Sequence, residues 1–338
     1  MSTTEQSWQR LEPEMLDESE ADRQALAEEV LVGLSETPKS LPSRFFYDDA
    51  GSRLFQDITD LEEYYPTRVE HSILESHSAA LLERFRGVPF NLIDLGAGDG
   101  RKTRVVLQQA ADLGLDVRYV PIDISASAMQ GLVADMGARF PQLPIRGLVS
   151  EYTAGVRWLG QQSDRANLML FLGSNIGNFA KAQARAFLRR LWLALNPQDR
   201  VLVGFDLKKD IELLLAAYND REGVTARFNL NLLTRLNREL GADFEVANFR
   251  HFATYNVFSG AMESYLVSMV QQTVHIRALQ ATFTFAPWEP IHTEYSYKYL
   301  VSDIDNLAQH SGFTPEDRFF DEAGWFCDAL WTVDRPTQ

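Results

Sequence analysis

Cysteine occurs once in this 338-residue chain, at Cys327, and histidine only six times. A single thiol rules out an intrachain disulfide and a multi-thiolate zinc site, and it points to a reducing compartment. The histidines at 71, 77, 251, 275, 292 and 310 show neither H-x-x-x-H nor H-E-x-x-H spacing, so no metal is expected. Positive charge is short as well: 32 Lys and Arg stand against 47 Asp and Glu, a formal net charge of -15. Phosphate binding needs clustered cations that release counterions, so a nucleic-acid partner is not expected. No run of eighteen apolar residues occurs, and Met1 to Leu31 is acidic and polar without the apolar segment of a secretory leader. The expectation is a cytoplasmic protein with no membrane partner.

What is present is ordinary for a folded domain. Hydrophobic residues make up 45% and charged residues 23%, in a length that fits one large α/β domain or two smaller ones. The most informative stretch is Ile93-Asp94-Leu95-Gly96-Ala97-Gly98-Asp99-Gly100, which reads as a buried strand running into a glycine loop. A second strand, Val117 to Ile122, delivers Asp123. Glycines let the backbone approach a ligand closely, and a carboxylate at the second strand's end can accept both ribose hydroxyls of a nucleoside. A dinucleotide fingerprint would be G-x-G-x-x-G, whereas position 101 is Arg and the spacing is G-x-G-x-G, which disfavours NAD or FAD. The D-x-G-x-G-x-G form resembles motif I of the class I S-adenosylmethionine (SAM) methyltransferases.

The rest of the chain fits that frame. Asp22 to Leu34 has helical spacing, and Pro38-Lys39-Ser40-Leu41-Pro42 breaks it. Thr67-x-x-Glu70 reads as a capping box opening a helix that runs to Phe85. From Asn91 to about Leu207, strands alternate with helices: strands 91–95, 117–122, 145–149, 168–171 and 201–206, helices 102–113, 126–139 and 181–195. This is the rhythm of a parallel sheet covered by helices, with ligands bound beyond the strands' carboxyl ends. Helical stretches through Tyr218 and over 230–240 then precede period-two segments at 262–276 and 281–285, which predict antiparallel β structure. A helix near 304–310 and two strands within 315–333 fit a closing antiparallel hairpin. The fold class expected is α/β, a Rossmann-like class I SAM-methyltransferase sheet with an inserted α+β substrate-binding domain. Residues 1–70 are assigned to the substrate-binding domain, 71–208 to the SAM-binding core, 209–298 to the insertion, and 299–338 to a return to the core.

Several separated blocks carry a closer likeness. Leu41-Pro42 with Phe46-Tyr47-Asp48, Gly51-Ser52-x-Leu54-Phe55, Glu63-Tyr64-Tyr65-Pro66-Thr67-Arg68, Phe171-Leu172-Gly173-Ser174-x-Ile176-Gly177-Asn178 and Thr293-Glu294-x-Ser296-x-Lys298 occur in that order. Together they resemble the ergothioneine-pathway histidine Nα-methyltransferases, the EgtD-type family, over roughly residues 38 to 335. The resemblance implies that Tyr47, Gly96, Lys102 and Asp123 contact SAM and that the acidic-aromatic pair Glu151-Tyr152 holds adenine. It also maps the substrate onto Tyr64, Asn178, Tyr218, Glu294 and Ser296, with Tyr64 and Asn178 nearest the reacting amine. By pattern alone, Glu294, Ser296 and Lys298 equally suit a solvent-facing strand edge, and Tyr64 and Tyr218 equally suit core aromatics. Asn178 equally suits a left-handed turn residue after Gly177.

The implied reaction is transfer of three methyl groups from SAM to the α-amine of L-histidine, giving Nα,Nα,Nα-trimethylhistidine (hercynine). SAM is the co-substrate, the partner is a small amino acid, and a monomer is expected. One departure bears on the substrate: the family commonly has Arg-Ile-Glu-Met where this chain has Ala261-Met262-Glu263-Ser264. Nα-methylation of another aromatic amino acid, tryptophan or a derivative, is therefore the alternative. An indole, however, offers Glu294 one N–H and Ser296 no ring acceptor.

Overall fold

The computed structural model describes residues 5–11, 18–123, 126–150, 152–162 and 165–335. The chain divides into two compact units. The first holds Met1–Pro13, Pro66–Lys208 and Tyr299–Gln338; the second holds Glu14–Tyr65 and Lys209–Lys298.

The first unit is built on an eight-stranded sheet. Its strands are β1 (Gln6–Arg10), β3 (Phe90–Leu95), β4 (Val117–Asp123), β5 (Ile145–Val149), β6 (Ala166–Phe171), β7 (Arg200–Asp206), β13 (Thr314–Phe320) and β14 (Phe326–Thr332), in the order β1-β5-β4-β3-β6-β7-β14-β13. Six are parallel, and β14 runs antiparallel between β7 and β13. All six residues of β3 are buried, the near-continuous burial expected of a parallel strand covered on both faces. Helices α3 (Tyr65–Leu82), α4 (Arg101–Asp112), α5 (Ala126–Arg139), α6 (Tyr152–Gln162), α7 (Lys181–Ala194) and α10 (Val301–Ser311) complete it. Chain order reverses at β3, with β4 on one side and β6 on the other. The crevice at such a switch point is where α/β sheets seat ligands.

The second unit carries a four-stranded sheet, β2 (Lys39–Ser40), β12 (Pro290–Tyr297), β9 (Ala261–Ser268) and β8 (Phe249–Asn256), and a separate hairpin, β10 (Gln272–Ile276) with β11 (Ala281–Phe285). Helices α1 (Glu18–Ser35), α2 (Asp49–Thr59), α8 (Ile211–Tyr218) and α9 (Val224–Leu240) belong to this unit. Its core joins Leu26, Val30 and Leu34 to Phe228, Leu232, Leu236, Phe249, Leu266 and Ile291.

Several elements depart from the sequence expectation. Helix α3 begins at Tyr65, so Thr67 and Glu70 lie inside it and form no cap; Glu70 is fully buried and bonds elsewhere. The apolar stretch 262–276 is two strands in two sheets. Strands β1 and β8 and helix α6 were not anticipated. Residues Gln6–Arg10, placed by sequence with the substrate-binding region, pair with Ile145–Val149 in the large sheet.

Candidate active site

In the first unit the rim begins with the loop after β3. Gly96, Gly98 and Gly100 take φ of 69°, 55° and 66°, the left-handed region that side chains disfavour. At Gly96 space adds to the constraint, since a Cβ there would sit 2.7 Å from the Tyr152 hydroxyl. Tyr152, the first residue of α6, packs its ring edge-on against Phe171 and Phe187, each with centroids 6.2 Å away. Burial, with the charges of Asp123 and Asp94, pushes its hydroxyl well above the usual tyrosine range. Asp123 ends β4 and is half-buried. Glu151 lies outside the described residues.

Asp94 belongs to the glycine-loop motif yet turns into the core. It accepts from Thr103 Oγ1 at 2.5 Å and Tyr119 Oη at 3.1 Å, binding the start of α4 to the strand. Burial raises its carboxyl to about 6 against those hydrogen bonds and the nearby Lys102 charge.

A second buried carboxylate organises the loop after β6. The Gly173 N–H donates to both oxygens of Glu70, at 2.8 and 2.9 Å, and Lys102 forms an ion pair with the same carboxylate. Lys102 is thus not simply solvated at a helix start. Asp328 from β14 is buried beside them, and desolvation together with the Glu70 charge holds its carboxyl far above the usual range. Gly204 on β7 leaves the room this requires: a Cβ there would lie 2.1 Å from Glu70 Oε1. Farther along, Ser174 takes φ of 54° and its Oγ accepts the Asp206 N–H at 3.1 Å, while Tyr299 Oη donates to the Ile176 carbonyl at 3.4 Å. Asn178 closes the 3₁₀ turn that follows. The left-handed residues of this loop are therefore Gly173 and Ser174, not Asn178.

In the second unit, β12 shifts register between His292 and Glu294. Beyond that bulge Glu294 pairs with Ser264 and Ser296 with Met262 across β9, so residues 294 and 296 share a face. Ser264 Oγ lies 3.5 Å from Glu294 Oε2. Lys298 Nζ donates to Tyr218 Oη and Ser296 Oγ, both at 2.9 Å, and Tyr218 Oη is 2.7 Å from Ser296 Oγ. Burial pushes the Glu294 carboxyl to about 7, opposed by the Lys298 charge and the Ser264 hydroxyl. Tyr64 meets Tyr218 edge-on at 6.5 Å, and Phe55 links Tyr64 (6.2 Å) to Tyr47 (5.5 Å). Tyr47, Tyr64, Tyr218, Glu294 and Ser296 thus come together within this unit, while Gly96, Lys102, Asp123, Tyr152 and Asn178 lie in the other. Sequence reasoning missed Glu70, hidden under a false capping pattern, and the way Lys298 binds its two hydroxyl neighbours. A carboxylate spaced like a cap inside an apolar helix face was the available signal for the first.

The sheet order, the glycine loop at its switch point and the carboxylate ending β4 define a class I SAM-dependent methyltransferase. More narrowly, the model of the SAM-dependent, histidine-specific methyltransferases matches residues 26–333, and the chain belongs to that family. It is 38% identical over 303 residues to the histidine N-alpha-methyltransferase of Mycolicibacterium smegmatis, covering 90% of this chain and 93% of that one. The histidine N-alpha-methyltransferase of Mycobacterium tuberculosis is 37% identical over 91% of this chain and 94% of its own. Ergothioneine biosynthesis protein 1 of Schizosaccharomyces pombe is 30% identical over 81% of this chain, which spans 36% of that longer protein.

Proposed function

We propose that this protein methylates the α-amine of L-histidine three times with SAM, producing Nα,Nα,Nα-trimethylhistidine for ergothioneine biosynthesis. Beyond family membership, the observation that carries the reading is the buried polar group on β12, where Glu294 and Ser296 share a face beside Tyr218 and Lys298. A carboxylate accepts a ring N–H, and a hydroxyl meets the other ring nitrogen. Such a pair suits imidazole. Ser264, small and buried opposite Glu294, is the feature that favours tryptophan or a derivative instead, but an indole leaves the hydroxyl group without a ring acceptor.

The residues of the first unit fit SAM, and their roles are assigned accordingly. The Gly96 backbone has no side chain to hold a ligand off, Asp123 would accept the ribose hydroxyls, Tyr152 and Glu151 would flank adenine, and Lys102 has donors for the amino-acid tail. Tyr47 is assigned to the same ligand. When bound, SAM supplies an electrophilic methyl on a sulfonium.

Transfer to nitrogen is an in-line displacement, so no covalent nucleophile is required of the protein. Its task is positioning, with the amine lone pair about 3 Å from the methyl and along the C–S axis. Glu294 and Ser296 would hold the ring, and Asn178 and Tyr64 would orient the α-amine and carboxylate. The amine must first be neutral. A tyrosine hydroxyl, titrating at about 10, is poorly matched to that task at neutral pH, so the proton is assigned to water. Tyrosine faces tolerate the growing cation, and a quaternary nitrogen, lacking a lone pair, ends the sequence.

The test is incubation with SAM and each of the twenty amino acids, read by mass spectrometry. Histidine should gain one, two and then three methyl units. Methylation of tryptophan and not histidine would replace this reading, and no methylation of any amino acid would remove it.

A further inference from the structure

The buried ammonium of Lys298 plays no part in the mechanism above. Its residue is 3% exposed, and those of Ser296 and Tyr218 are 4% and 8% exposed. A charge this deep carries a desolvation cost, against which stand the two hydroxyls and the Glu294 carboxylate whose ionisation the ammonium favours. The three polar atoms form a closed triangle with sides of 2.9, 2.9 and 2.7 Å, and Lys298 Nζ also lies 4.7 Å from the Tyr218 ring centroid.

The donor count in that triangle has a direction. An ammonium can only donate, so Lys298 fills one lone pair on Tyr218 Oη and one on Ser296 Oγ. One hydroxyl must then donate to the other across the 2.7 Å side. Tyr218 donates to Ser296, so Ser296 Oγ accepts twice and can meet any further group only by donating. Without the ammonium, Ser296 could turn either a lone pair or its hydrogen toward a ligand.

We propose that Lys298 is the positioning residue that sets side-chain specificity, by making the Ser296 hydroxyl a hydrogen-bond donor beside the Glu294 acceptor. The group then reads a ring with one N–H and one bare nitrogen, which is a neutral imidazole. Glu294 takes the N–H and Ser296 donates to the bare nitrogen. Indole and phenyl rings fail because a buried hydroxyl hydrogen is left unpaired, the asymmetry by which polar sites reject ligands lacking an acceptor. The inference rests on the histidine reading.

The full-length enzyme tests it without mutation through two near-isosteric substrates. Pyrrolylalanine has a ring N–H and no acceptor, and thiazolylalanine has a ring acceptor and no N–H. Each should be methylated with a kcat/KM about tenfold or more below that of histidine. Lys298→Met should raise the histidine KM about tenfold or more with the SAM Kd unchanged, and it should narrow the gap between histidine and pyrrolylalanine. Lys298→Arg, which keeps a donor-only cation, should restore part of that gap. A purely structural role would instead lower turnover of histidine and pyrrolylalanine alike.

Wild-type enzyme that methylates pyrrolylalanine as efficiently as histidine overturns the proposal, and so does a Lys298→Met variant with an unchanged histidine KM. If Lys298→Met does not fold, judged by SAM binding, Lys298→Gln, whose head group can accept as well as donate, takes its place with the same expectations. Failure of the underlying reading looks different: wild-type enzyme would then methylate no histidine at all.

Discussion

Single residues carry the proposed chemistry, and their ionisation makes it testable. Glu294 holds its proton up to about 7 because burial penalises the carboxylate more than Lys298 and Ser264 favour it. Below that pH the protonated acid offers a ring N–H only its neutral carbonyl oxygen; above it the carboxylate makes the stronger charge-assisted bond. The histidine KM should therefore rise as pH falls through about 7. Glu294→Gln should raise the KM about tenfold to a hundredfold at pH 8, leave the SAM Kd unchanged, and lose that pH-dependent part of the profile. Steady-state kinetics in histidine across this range, for both proteins, is the check. Asp123→Asn should do the converse, weakening SAM about tenfold by calorimetry with the histidine KM little changed; tight SAM binding in that variant would displace Asp123 from the ribose. Both carboxylates were legible from the sequence because each sits in a short motif. Asp94, equally prominent there, is a core residue that joins strand to helix through Thr103 and Tyr119.

At the scale of elements, the loop from Gly173 to Asn178 is held by groups from three other places. Glu70 on α3 takes the Gly173 N–H, Ser174 takes an N–H from the end of β7, and Tyr299 reaches the Ile176 carbonyl. Gly204→Ala should destabilise the protein by about 1–3 kcal/mol, because the new methyl would displace the Glu70 carboxylate. Glu70→Ala should cost about 1–3 kcal/mol by leaving the Gly173 N–H without its acceptor. Chemical denaturation measures both, and Gly204→Ala as stable as wild type would show that Glu70 relaxes freely. Five of the parallel strands of this unit and most of its helices were readable because period and burial agree along short windows, whereas β1 and α6 were not. Residues 262–276 misled because a continuous apolar alternation does not reveal that the chain leaves one sheet at Ser268 and enters another at Gln272.

For the whole molecule, the lone thiol reports on folding. Cys327 lies in β14 between β7 and β13, fully buried, and desolvation with the Asp328 charge pushes its thiol far above the usual range. A thiol reagent at neutral pH should find almost no reactive group in the folded protein and one per chain in denaturant. Reaction in native buffer at the denatured rate would mean that β14 opens readily. Among the described residues, no helix is long and apolar enough to cross a membrane.

Local pattern by itself determined the alternation of parallel strands and helices, the glycine loop with its carboxylate, and the family to which the chain belongs. Backbone conformation and single-face burial leave their mark within a few neighbouring residues. Tertiary structure alone decided that Glu70 points inward at Gly173 and Lys102, that Gln6–Arg10 extends the large sheet, and that Lys298 closes a triangle with Tyr218 and Ser296. Each of these joins groups far apart in the chain. Such contacts form only when packing removes water from polar atoms and makes them find one another, and no window of sequence encodes which partner will be there.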